Sequence, residues 1–231
     1  MTPGRREFIR QIAVSGIALQ SFANLAAGTR NNIKAIAFDG FPILDPRPVF
    51  ALVDDLYPEK GAELTDFWQV TSDALVFAAK SLNLQLTTDG HARLMDAYLK
   101  LRCWPDVPGA LSSLKRAGVR MAILSNLIGK MLEAGIRNSG LEGMFDQLLS
   151  TDRVKVYKPD PRAYQMAVDA FALKHEKILF AAFAGWDAAG AKSFGYPTFW
   201  VNRQSQPAEE LGVIPDANGG NLKDLVAFLA G

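Results

Sequence analysis

The chain has 231 residues, 49% of them apolar and 21% charged, with a formal net charge of +1. That is enough chain for one well-buried core with a small insertion, and the charge balance gives no reason to expect nucleic acid as a partner. The lone Cys103 excludes an internal disulfide or a cysteine zinc site, and His91 and His175, outside any metal or triad motif, read as two solvated surface histidines.

Residues 1–30 stand apart. Arg5 and Arg6, then Phe8, precede a short apolar stretch from Ile12 to Ala27. Basic, then apolar, then small residues is the order of an export signal, and the paired arginines resemble the twin-arginine type. Leu25-Ala26-Ala27 offers a cleavage site. The stretch is too short and interrupted for a membrane span, so no stable membrane association is expected after export. The expected location is the periplasm, or the cytoplasm if the segment is only an amphipathic helix.

Ile33 to Phe38 is a mostly apolar run that predicts a buried strand ending at Asp39. Gly40, Pro42, Pro46 and Pro48 predict a turning chain that enters no regular helix over residues 40–49. Thr65 or Asp66 could cap a helix running to Leu82, and Thr87 or Thr88 another running to Leu101. From Val107 the element types alternate. Helices are predicted over Gly109–Ala117, Lys130–Ser139, Pro161–Phe171, Ala188–Phe194 and Leu222–Leu229. Strands are predicted over Val119–Leu124, Gln147–Ser150, Ile178–Phe183 and Thr198–Val201. Gly140 and Gly195 stop two of the helices.

Alternating strands and helices imply an α/β fold, a Rossmann-like parallel sheet with helices on both faces. The expected domains are a core formed by residues 31–45 and 108–231 and a small helical cap over residues 46–107. Ligands of such sheets sit at the carboxyl ends of the strands. Asp39, Ser125, Asn126, Lys158 and Asp187 all fall at predicted strand ends. Singly, each has a plainer reading as a cap, turn or surface residue. Together, in one order on one rim, they read as a site.

The residue types suggest the chemistry. Asp39 can act as a nucleophile through an ester intermediate. Lys158 would supply the charge that keeps it ionised. Ser125 and Asn126, beside a helix N-terminus, suit an anionic substrate group. Asp187 is a second carboxylate able to orient or deprotonate water.

The order Asp39, Ser125, Lys158, Asp187 resembles the four motifs of the haloacid dehalogenase superfamily, within it the L-2-haloacid dehalogenase (type II) family. Ile123-Leu124-Ser125-Asn126 resembles the second motif and Val156-Tyr157-Lys158-Pro159-Asp160-Pro161-Arg162-Ala163-Tyr164 the third. Gly185-Trp186-Asp187-Ala188-Ala189-Gly190-Ala191 resembles the fourth, and Val201-Asn202-Arg203 continues the likeness. The resemblance implies a hydrolase in which Asp39 attacks C2 of a short 2-haloacid and water then attacks the ester carbonyl. Small-molecule substrate and water are the implied partners, and no cofactor or metal is implied. It makes Tyr164 a candidate substrate-side hydroxyl, Trp186 a wall and Phe41 a pocket lining. Family members are often dimers through cap helices, so a homodimer is expected of the likeness, less so with a shorter cap.

Three departures stand out. Ile43 occupies the place of a threonine in the first motif. Ala182, Phe183 and Ala184 stand where the fourth motif often carries Ser and Asn. Gly61-Ala62-Glu63-Leu64 passes almost directly to Thr65-Asp66-Phe67-Trp68, so the cap segment that bears an arginine in the family reads as deleted. Neither Arg47 nor Arg102 is assigned to its role. Two other readings stay open: a Mg²⁺-dependent phosphatase of the same superfamily, against which Phe41 stands in place of an acidic residue, and a non-catalytic relative that binds small carboxylates.

Overall fold

The computed structural model describes residues 32–61 and 72–231. The leader over residues 1–30, the Thr65 or Asp66 cap and the shortened cap segment after Gly61 lie outside the described residues. Among the described residues, no helix is long and apolar enough to cross a membrane.

The strands are β1 (Ala35–Phe38), β2 (Arg120–Ser125), β3 (Gln147–Ser150), β4 (Ile178–Ala182), β5 (Thr198–Val201) and β6 (Ala217–Gly219). They form one six-stranded sheet in the order β3-β2-β1-β4-β5-β6. Every pairing is parallel. This is the doubly wound order, in which the chain reverses its direction of travel beside β1.

Successive side chains of a strand face opposite ways, and β1 divides accordingly. Ile36 and Phe38 join Leu111 and Leu114, Met131 and Leu132, and Leu222 and Leu225 on one face. These belong to α5 (Val107–Arg116), α6 (Gly129–Asn138) and α9 (Leu222–Ala230). Ala35 and Ala37 face Tyr164, Ala167, Ala188 and Ala191 on the other. Those come from α7 (Pro161–Phe171) and α8 (Gly185–Phe194). β1, β4 and β5 are buried along their whole length, as their apolar runs allow; the one polar side chain among them, Thr198, donates to the Tyr196 carbonyl at 3.0 Å.

Between β1 and α5 the chain makes α1 (Gly40–Ile43), α2 (Arg47–Leu56), α3 (Ser72–Ser81) and α4 (Thr88–Tyr98). It leaves the core at Leu44 and returns beside it at Cys103, the two joined by an antiparallel bridge. Thr87 caps α4 by accepting from the Gly90 N–H at 3.0 Å.

The fold differs from the sequence reading in four places. Residues 40–49 do enter helices, because Pro42 and Pro48 sit in the first turns of α1 and α2, where a missing N–H loses no bond. α8 starts at Gly185, so Asp187 lies inside its first turn rather than ahead of it. β6, three residues with no apolar run, is an unexpected sheet edge. His175 is half-buried, its Nδ1 3.0 Å from the Gly195 carbonyl oxygen, and His91 Nε2 lies 2.8 Å from Ser72 Oγ, so neither is simply solvated.

Candidate active site

β1 and β4 run side by side, with Phe38 in register with Ala181. The Asp39 N–H donates to the Ala181 carbonyl at 2.9 Å, which carries the pairing one residue past the strand. Asp39 is the N-cap of α1, and its Oδ2 accepts a long bond from the Phe41 N–H at 3.4 Å. Gly40 lets the turn pack this closely, since an added Cβ would lie 2.7 Å from Ser125 Oγ and force a neighbour to shift. Ser125 ends β2 in this way directly against the turn that carries Asp39.

Lys158 arrives from the far side, after β3 and a 3₁₀ turn over Thr151–Arg153. Its Nζ donates to Asp39 Oδ1 at 2.7 Å and to Asp187 Oδ2 at 2.6 Å. It also lies 5.2 Å from the centre of the Phe180 ring. Asn126 holds the loop: its Oδ1 accepts from the Lys158 N–H at 2.9 Å and from Thr151 Oγ1 at 3.1 Å. Its Nδ2 donates weakly to the Lys158 carbonyl at 3.4 Å. Both ends of the Asn126 amide are therefore turned to the protein, not to a substrate. Thr151, which sequence reasoning passed over, completes this brace; its position just after β3 was the one available signal.

Tyr164 also departs from expectation. It is fully buried, and its hydroxyl donates to Asp187 Oδ1 at 2.7 Å. It cannot be a substrate-side hydroxyl; it is a partner of Asp187. α8 comes close enough for this because Gly190 has no Cβ, which would lie 2.6 Å from Tyr164 Oη. Tyr196 anchors the same tyrosine by donating to its carbonyl at 2.6 Å. Phe41 is half-buried and meets Phe183 edge to face at 5.7 Å. Trp186 is half-buried, its N–H donating to Glu209 Oε1 at 3.1 Å.

Exposure separates the charged groups. The Asp39 side chain keeps 11% of its surface in solvent, against 1% for Lys158 and 2% for Asp187. Asp39 is thus the most open of the three to an incoming molecule. Its Oδ1 is taken by Lys158, and Oδ2 has one long contact, with the Phe41 N–H. Burial is the largest influence on Asp187 and pushes its carboxyl up. Lys158 pulls it down and the like charge of Asp39 pushes it up, so it titrates at about 6. Burial depresses the Lys158 ammonium, but the charges of Asp187 and Asp39 outweigh it and hold the group above its ordinary range. The Tyr164 hydroxyl is raised, first by burial and then by the Asp187 charge, so it is a donor at any working pH.

Of the departures from the motifs, Ile43 and Ala182 are wholly buried among apolar side chains. No hydroxyl reaches Asp39 or Asp187 from those two positions. Arg47 is bound to Asp45 through three contacts of 2.6 to 3.0 Å and stacks over Trp104, and Arg102 is exposed. Among the described residues, no group of three or more His, Cys, Asp or Glu side chains is placed to hold a metal ion.

Residues 58–195 match the family profile of haloacid dehalogenase-like hydrolases. The chain is 38% identical over 216 residues to an (S)-2-haloacid dehalogenase of Pseudomonas sp. (strain YL), covering 84% of this chain and 93% of that one. This chain belongs to the haloacid dehalogenase-like hydrolases. Solved structures of the family agree. A crystal structure of an L-2-haloacid dehalogenase superposes with a TM-score of 0.80 at 35% identity, covering 87% of this chain and all of that one. The enzyme of Xanthobacter autotrophicus, with chloropropionic acid covalently bound, gives 0.75 at 27% identity, over 86% of this chain and 99% of that one. The resemblance drawn from the motifs and the Rossmann-like fold expected from the alternation both hold.

Proposed function

We propose that this protein is a hydrolytic dehalogenase of short 2-haloalkanoic acids, working through an ester on Asp39. The observation that carries the proposal is the shared ammonium: Lys158 grips one oxygen of Asp39, which keeps a small opening to solvent, and one oxygen of the more deeply buried Asp187. A relative named for this activity, and a structural relative with chloropropionic acid covalently bound, support it.

In the first step Asp39 Oδ2 attacks C2 opposite the halogen. The Oδ2–C2 bond forms, the carbon–halogen bond breaks, and halide leaves with the electron pair. Attack from the rear inverts C2. In the second step water adds to the Asp39 carboxyl carbon, with Asp187 as the group that orients it and takes its proton. Lys158 lies against Oδ1, where negative charge grows as the carbonyl becomes tetrahedral. Collapse breaks the bond between that carbon and Oδ2. The product is the 2-hydroxyacid, its hydroxyl oxygen coming from Asp39, and the carboxylate is restored with an oxygen from water. Tyr164 holds Asp187 in place throughout.

Ser125 would bind the substrate carboxylate. Its Oγ accepts from the Leu127 N–H at 3.2 Å, which leaves its proton for an anion. α6 begins without a side-chain cap, so its first N–H groups would add to the same site. Asn126 would act through the Lys158 loop. Phe41 and Trp186 would line the pocket, and residues 46–107 would form the cap. Incubation with (S)-2-chloropropionate should release chloride and yield the inverted lactate. Loss of turnover in EDTA, or phosphate release from a phosphomonoester in its place, would replace this reading with the phosphatase one.

Residues 1–30 would direct export to the periplasm by the twin-arginine route, with removal near Ala27. The related sequences cover 84–86% of this chain but 93–98% of their own length, which is consistent with an added segment here. Replacing Arg5 and Arg6 by lysine should leave the protein in the cytoplasmic fraction. An unchanged periplasmic fraction would remove the signal assignment. A homodimer through the cap helices is the assembly the family likeness offers, weakened by the shortened cap; sedimentation at twice the monomer mass would support it and sedimentation at the monomer mass would remove it.

A further inference from the structure

α1 has four residues, too few to sustain a helix by its own bonds. Yet it carries Asp39 at its N-cap. Its four carbonyls are all taken. The Gly40 carbonyl accepts from the Leu44 N–H at 2.8 Å, the one bond that α1 and its C-cap supply for themselves. The Phe41 carbonyl accepts from Trp104 Nε1 at 2.9 Å. The Pro42 carbonyl accepts from Arg203 Nη2 at 2.7 Å. The Ile43 carbonyl accepts from the Trp104 N–H at 3.1 Å. Two residues far away in sequence thus hold three of the four.

The two are bound to each other. The Arg203 guanidinium lies over the Trp104 ring at 4.6 Å, and Arg47 lies against the same ring at 4.4 Å. Arg203 Nη1 and Nη2 grip Asp106 at 2.9 and 3.1 Å, and Asp106 in turn accepts from the Leu222 N–H at 2.8 Å, at the start of α9. Arg203 Nη2 therefore serves Asp106 and the Pro42 carbonyl together, which a planar fork can do and a single ammonium does poorly. The cost is visible: Arg203 Nε is buried with no partner. A buried donor left unpaired calls for an explanation. A surface ion pair with Asp106 would not need it; reaching the turn behind Asp39 does.

We propose that Trp104 and Arg203 are positioning residues for the nucleophile, fixing the α1 turn so that Asp39 Oδ2 faces the substrate. The inference rests on Asp39 being the nucleophile, as argued above. Trp104 also lies beside the point where the cap chain re-enters the core at Cys103, so the clamp ties the seat of the cap to the aim of Asp39. It takes up, from outside the first motif, support that a buried Ile43 cannot give.

The test uses Trp104→Phe, which keeps a ring under Arg203 but removes the Nε1 donor, and Arg203→Lys, which keeps a cation for Asp106 but not the fork. Leu225→Ala, a core change on α9, controls for lost stability. Two readouts are needed. The first is amide hydrogen exchange over residues 39–45; both clamp variants should speed exchange there, and the control should not. The second is chloride release from (S)-2-chloropropionate; kcat should fall by about ten- to a hundredfold in the clamp variants with KM changed little, since small misplacement of a reacting group acts on the chemical step. The control should keep its kcat. Unchanged exchange over 39–45 overturns the clamp. Faster exchange with unchanged kcat overturns its role in positioning. A wild-type protein that releases no halide would sink the proposed function, and the exchange experiment would still decide whether the two residues hold the turn.

Discussion

The turns after β1 and β4 each deliver an aspartate to one ammonium, and they are built in opposite ways. α1 is four residues long and leans on Trp104 and Arg203 for its carbonyl bonds; α8 is ten residues long and carries its own ladder. Asp39, on the propped turn, keeps part of its surface in solvent, while Asp187, on the self-supporting helix, is sealed under Tyr164. The difference suits two carboxylates with different duties. An attacking oxygen must be reachable and lightly bonded. A group that handles water gains from burial, because burial moves its titration toward the working range.

Removing the more reachable carboxylate should have the largest effect. Asp39→Asn should keep the fold and lower halide release by on the order of 10⁴-fold or more, as loss of a nucleophile does. Equal release from both proteins would end Asp39's assignment. Lys158→Met removes what the two turns share. Activity should be lost, and unfolding in urea should show a loss of about 3–5 kcal/mol, because two buried carboxylates face each other without a counter-charge. That deficit should shrink as pH falls, since protonating either carboxylate relieves it.

Tyr164→Phe touches only the sealed side. Loss of a hydrogen bond to a charged group, about 1.5–3 kcal/mol, predicts a fall in kcat of roughly ten- to a hundredfold. The bond favours ionised Asp187, so its loss should also move the acid limb of the pH–rate profile to higher pH. The smallest effect needs no mutation. Asp187 must be ionised to take a proton, and its carboxyl is raised to about 6, so kcat should fall as pH drops through that value. Stability runs the other way: a carboxyl raised above its unfolded value of 3.8 binds more protons in the native state, so this group favours folding increasingly as pH falls from about 6 toward 4. A flat kcat between pH 5 and 7 would assign the water to another group.

The same contrast explains what the sequence disclosed. The parallel sheet was legible because β1 and β4 are buried apolar runs and β5 is one but for Thr198, each ending near a polar residue. α1 was hidden, because Gly40 and Pro42 argue for a loop unless one knows that a proline in a first turn forgoes nothing. The start of α8 was hidden for a similar reason, Gly185 reading as loop. The order of Asp39, Ser125, Lys158 and Asp187 placed the rim, since strand ends of a doubly wound sheet converge by topology. The direction of a hydroxyl does not follow from topology. Tyr164 faces Asp187 only because Gly190 lets two helices approach, and Asn126 faces the Lys158 loop only because Thr151 meets it there. The Trp104–Arg203 clamp spans contacts of great sequence separation and left no local pattern to read.

In the proposed reaction Asp39 carries the substrate as an ester and is freed by water at its own carboxyl carbon. A single turnover with excess enzyme in H₂¹⁸O tests this directly, with both product and the Asp39-containing peptide weighed by mass spectrometry. The label should appear in the Asp39 carboxylate, with none in the first 2-hydroxyacid formed. Label in the product and an unlabelled Asp39 peptide would mean that water attacks the substrate carbon itself, and the ester would have no place in the reaction.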